Sequence, residues 1–112
     1  MAEYARCTTP EQIHAVCEDY RATVTLDFAM DTADFGARTI NCPVLVLWGS
    51  NSHCGRHFKP REAWAPWAPD LRGWAIPTGH YPAEQRPDLV QAAFSAFFAG
   101  DEPIPSDAEA AV

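Results

Sequence analysis

Basic residues are scarce in this sequence: 8 Lys and Arg stand against 15 Asp and Glu in 112 residues, a formal charge of −7. A chain this acidic offers no basic surface for a phosphate backbone, which argues against nucleic-acid binding. No run approaches the roughly 18 apolar residues of a membrane span. Met1-Ala2-Glu3-Tyr4 lacks the basic stretch and apolar core of a secretory signal. A soluble, cytoplasmic protein is the expectation. Cys7, Cys17, Cys42 and Cys54 make no Cys-x-x-Cys pair, so reduced, largely structural thiols are expected rather than a disulfide framework. Internal repeats and low-complexity tracts are also missing. What remains, with 47% hydrophobic residues, suits one globular domain or part of one.

The organising stretch is Cys42-Pro-Val-Leu-Val-Leu-Trp-Gly49. Its apolar run, bounded by Pro and Gly, is the pattern of a strand covered on both faces in a parallel sheet. Upstream, Thr9-Pro10-Glu11-Gln12 predicts a helix start, with Thr9 as N-cap and Gln12 closing a capping box. Ile13, Val16, Cys17, Tyr20 and Val24 recur at helical spacing and define a face that must bury against something. Residues 27–39 read as a short helix and a connection interrupted by Gly36. Downstream, 50–58 reads as a polar loop and Pro60–Trp64 as a short helix. Arg72–Ile76 is a second strand, less secure for its Gly73. Pro87 opens the clearest helix, with Leu89, Val90, Ala93, Phe94, Phe97 and Phe98 on one stripe and Gly100 as its stop. The alternation of strand and helix predicts an α/β fold.

In open α/β sheets, ligands and chemistry gather beyond the carboxyl ends of the strands. His80 stands there, on the Gly-flanked turn after the second strand, and an imidazole titrating near neutrality suits proton abstraction. A lone loop histidine is more commonly a surface residue, so this position needs its context. His53 and His57 have metal-ligand spacing if helical, but Gly55 and the polar surroundings argue against a helix, and no second cysteine pair completes a site with Cys54. No metal or cofactor is expected. Asp27, Asp31 and Asp34 are interrupted by Phe28, Met30 and Ala33 and do not fit a calcium loop. Trp48, Trp64, Trp67 and Trp74 read as packing residues.

The assembly Trp74-Ala-Ile-Pro-Thr-Gly-His80-Tyr81-Pro-Ala-Glu84-Gln-Arg-Pro87, with Pro43–Gly49 before it, resembles the C-terminal part of α/β-hydrolases. Cys17-Glu-Asp-Tyr20-Arg-Ala22 looks like the segment leaving the cap domain and narrows the resemblance to haloacetate (fluoroacetate) dehalogenases, over nearly all of residues 4–99. The resemblance implies two roles. His80 matches the general base that activates water to hydrolyse an ester on an Asp nucleophile. Tyr20 matches a cap-derived tyrosine that helps hold the departing halide, although helical spacing alone places it on the stripe with Ile13, Val16 and Val24. Many α/β-hydrolases carry the triad acid in the loop after the strand matching Val44–Trp48. Here no Asp or Glu occurs between Gly49 and Glu62, which favours the dehalogenase branch, whose acid lies on an earlier strand.

The sequence has no nucleophile elbow of the Gly-x-nucleophile-x-Gly kind. Triad chemistry needs nucleophile, base and acid together, so the reading is a C-terminal half of an α/β-hydrolase fold: two parallel strands, flanking helices and the last cap helix, with an incomplete sheet. Its parts are 1–36, the end of the cap and return to the core; 37–100, the core segment; and 101–112, a disordered acidic tail. The substrate implied is a small haloacid, with an N-terminal half to complete the site. Two alternatives stay open: a non-catalytic fragment or interaction subunit, and part of another α/β-hydrolase such as an epoxide hydrolase. The open sheet edges also allow a homo-oligomer.

Overall fold

The computed structural model describes residues 2–101, apart from the side chain of Glu3. The acidic tail read over 101–112 lies, beyond Asp101, outside the described residues. The chain divides into two units, one ending at Arg38 and the other starting at Thr39.

The first unit is helical: α1 (Ala2–Arg6), α2 (Pro10–Ala22) and α3 (Phe28–Asp34), with a π-helical stretch, Thr23–Asp27, joining the last two. The start of α2 is the predicted capping box. The Gln12 amide donates to Thr9 Oγ1 at 3.3 Å and the Thr9 amide donates to Gln12 Oε1 at 3.0 Å, so each satisfies a donor the helix end would leave orphaned. The helix then widens at the β-branched run Thr23-Val24-Thr25. Thr23 Oγ1 donates to the Asp19 carbonyl at 3.1 Å and Thr25 Oγ1 to that of Arg21 at 2.8 Å. Such back-bonding hydroxyls compete for the carbonyls of the preceding turn, consistent with the local shift from α to π geometry. Gly36, at φ +75°, follows α3. No residue of α2, the π stretch or α3 is buried. The apolar face expected of α2 is there, but Ile13, Val16, Tyr20 and Val24 are 52%, 56%, 73% and 75% exposed.

The second unit holds the sheet. β1 (Val44–Gly49) and β2 (Leu71–Ile76) pair in parallel from Val44↔Leu71 to Gly49↔Ile76. Between them run α4 (His53–His57) and α5 (Pro60–Trp64), and after β2 come α6 (Pro82–Gln85) and α7 (Pro87–Ala99). Gly73, which weakened the second strand as a sequence prediction, has a packing reason. A Cβ there would approach the Val46 carbonyl oxygen to 2.6 Å and the Trp48 ring to 3.4 Å, so its bare Cα admits the neighbouring strand's indole.

Among the described residues, few apolar ones are buried: Ala68, Ile76, Val90 and Ala93. Contrary to the expectation of cover on both faces, Val44–Trp48 is only half-buried. The α7 stripe divides likewise, with Val90 and Ala93 buried but Phe94 and Phe98 47% and 81% exposed. The reason is geometric: two strands are too narrow to cover the whole apolar face of a 13-residue helix. At the end of α7, Gly100 takes the left-handed conformation (φ 80°), and the Asp101 amide donates back to the Ala96 carbonyl at 3.0 Å. At its start, Arg86 grips Asp88 through Nε to Oδ1 at 2.9 Å and Nη2 to Oδ2 at 2.7 Å. The four cysteines, read as largely structural, are exposed rather than packed in a core. Among the described residues, no helix is long and apolar enough to cross a membrane.

Candidate active site

The carboxyl ends of β1 and β2 are tied together by the backbone. The Ser50 amide donates to the Ile76 carbonyl at 2.8 Å and the Asn51 amide to that of Thr78 at 2.9 Å, so pairing continues past the last strand residues into both loops. Gly49 sits so close to the 78–79 peptide that a Cβ would overlap the Gly79 carbonyl oxygen. A second clamp acts from α6, where Gln85 Oε1 accepts from the Gly79 amide at 2.6 Å. Thr78 is buried, its amide donating to the Ile76 carbonyl at 2.7 Å. The turn that carries His80 is therefore held on three sides by backbone and amide contacts, while His80 itself is exposed.

The His80 ring meets Tyr81 edge to face, with centroids 4.8 Å apart and planes at 86°. Among the described residues, no carboxylate lies within ion-pair distance of it. A fixed turn with an accessible imidazole is what a general base needs of its scaffold. Tyr20, the other residue singled out in the sequence, lies on α2 in the first unit, with its side chain exposed.

The loop after β1 corrects the sequence reading. Residues 53–57 form α4, not a polar loop, because Ser52 caps the turn: its Oγ accepts from the Gly55 amide at 3.0 Å and donates to the Gly49 carbonyl at 2.6 Å. Gly55, which argued against a helix, is required by it, since a Cβ there would overlap the Gly49 carbonyl oxygen. The missed signal was Ser52 itself, a preferred N-cap residue. Helix formation brings His53 and His57 together, with ring centroids 4.6 Å apart. No group of three or more His, Cys, Asp or Glu side chains is placed to hold a metal among the described residues. Gln85 was also missed; nothing in its sequence surroundings marks it as the clamp on Gly79.

Beside the site, an open groove of about 1260 Å³ runs along the sheet, lined by Trp48, Gly73, Trp74, Phe58 and Pro60 among others. Trp48 and Trp74 line it from the strands, and Phe58 and Pro60 from the segment that leads into α5. The site thus occupies the edge of an incompletely covered sheet, with its chemistry-bearing loops fixed and its surroundings open.

No family model matches the chain. A fluoroacetate dehalogenase from a Burkholderia species is 39% identical over 79 residues, which is 70% of this chain and 26% of the relative. Among solved structures, a proposed acyltransferase from Salmonella enterica superposes with a TM-score of 0.78 at 36% identity, covering 84% of this chain and 31% of the other. The chain therefore spans about a quarter to a third of the length of these two proteins. Parallel strands with flanking helices and a Gly-His turn at their carboxyl ends agree with that kinship: the chain belongs to the α/β-hydrolase family and is similar over most of its own length to part of a fluoroacetate dehalogenase.

Proposed function

We propose that this chain supplies the water-activating base, His80, of a hydrolase of haloacetate dehalogenase type, and that the nucleophile and acid come from a further portion of the fold. The supporting observation is the joint one of 39% identity to a fluoroacetate dehalogenase and a Gly79-His80 turn clamped at the carboxyl end of the sheet. In this chemistry an Asp carboxylate displaces halide from the haloacid carbon and forms an ester. His80 then takes a proton from water and the resulting hydroxide adds to the ester carbonyl; the tetrahedral intermediate expels the hydroxyacid's alkoxide, which takes up the proton of the added hydroxide, so the Asp carboxylate is regenerated and His80 releases its own proton to solvent. Tyr20 donates its phenolic proton in a hydrogen bond to the departing halide. Residues up to about 36 act as the end of a cap, and 37–100 as the core segment.

The Salmonella neighbour supports a second reading, acyl transfer or ester hydrolysis with the same base. Against it stands the loop after β1, which has no carboxylate before Glu62. The test is a chimera in which this chain replaces the matching stretch of the Burkholderia enzyme. Halide release from fluoroacetate and chloroacetate, without hydrolysis of simple acyl esters, is the expected result. Ester hydrolysis without halide release would transfer the assignment to the second reading. The 112-residue chain alone should release no halide above background.

A further inference from the structure

We propose that His53 and His57 form a two-imidazole site for a borderline divalent cation of the Cu(II), Ni(II) or Zn(II) class, on the outer face of α4. The two residues are four apart on one turn of helix, the spacing that puts side chains on a common face. Gly55 fixes which face that is. It packs against the Gly49 carbonyl, and residues two positions to either side of it point to the opposite side of the helix, away from the sheet.

The ring geometry matches chelation. A metal–nitrogen bond of about 2.0–2.1 Å places the metal about 3.2 Å from each ring centroid, so two imidazoles at about 90–110° around one ion have centroids about 4.5–5.2 Å apart. The observed separation is 4.6 Å, with the planes tilted by 43° rather than stacked. The scaffold is pre-organised: Ser52, only 6% exposed, anchors the helix start to β1, and Phe58 lies edge-on to the His53 ring at 5.7 Å. The two imidazoles leave the remaining coordination positions to water, so the ion bound here is exchangeable rather than a structural one.

Titration of the full chain with Ni(II), followed by calorimetry and by broadening of histidine ring signals with substoichiometric Cu(II), tests this. His53→Ala and His57→Ala should each weaken Ni(II) binding by about tenfold or more, since the second imidazole binds intramolecularly. His14→Ala, His80→Ala and Cys54→Ser should leave it unchanged, and Co(II) should show no thiolate charge-transfer band. The double variant His57→Ala/Phe58→His keeps the number of imidazoles but moves one off the shared face, and should bind no better than His57→Ala. Equal affinity in that double variant and the wild type, loss of binding in Cys54→Ser, or no binding by the wild type would each overturn the proposal.

Discussion

Gly49 and Gly79 meet backbone to backbone at the carboxyl end of the sheet, with no room for a Cβ on Gly49. The contact joins the end of β1 to the turn that presents His80. Gly49→Ala must push that turn away or break the Ser50 and Asn51 bonds that hold it, at about 1–3 kcal/mol as for other overpacked positions. In the chimera, the variant should lose dehalogenation while keeping its helix content. Chemical denaturation and halide release on the same sample check both parts.

Ser52 holds α4 from two directions, capping Gly55 and donating to Gly49. Ser52→Ala should cost about 1–2 kcal/mol, read as a lowered denaturation midpoint in the chimera. Ser52→Asp, which retains a capping acceptor, should recover part of it. An unchanged midpoint in the alanine variant would mean that α4 is held by Gly55 packing alone.

How much of this was legible in sequence depends on how local each cause is. The capping box at Thr9 and Gln12, the Pro10 and Pro87 helix starts and the Gly100 stop are written in adjacent residues, and each element forms as read. β1 and β2 follow from apolar runs and their punctuation. The helix at 53–57 was obscured because Gly55 counts against a helix in isolation, whereas its reason is the carbonyl of Gly49 six residues earlier. The same holds for Gln85, whose partner is the amide of Gly79. Burial was misjudged where it depends on a third element: Val44–Trp48 reads as a strand covered on both faces, but two strands do not cover one another's faces.

That shortage of cover has a consequence in solution. Ile13, Val16, Tyr20 and Val24 on one unit, and Phe94 and Phe98 on the other, are each at least 47% exposed. Open strand edges recruit other chains. The isolated chain should run as a dimer or larger species, or as a partly folded state that binds hydrophobic dyes while keeping helical circular dichroism. Light scattering and dye binding check this; a compact monomer with one cooperative transition would favour a freestanding small domain.

Acid should loosen the start of α7. The Arg86 guanidinium holds the Asp88 carboxyl below its usual range, so Asp88 contributes stability at pH values above the ordinary Asp pKa. That contribution is lost as pH falls through the lowered folded value, where Asp88 becomes protonated. Asp88→Asn removes the titration, so the difference in helix content between wild type and variant should be largest near neutrality and vanish in strong acid. A difference that grows on acidification would contradict the assignment.

The central claim is that His80 activates the water that hydrolyses an enzyme ester. The most direct measurement is mass spectrometry of the chimera carrying His80→Ala after exposure to fluoroacetate or chloroacetate. The account predicts halide release limited to about one equivalent and a persistent adduct on the Asp nucleophile, since alkylation does not need the base. Continued turnover with no adduct would show that His80 is not that base.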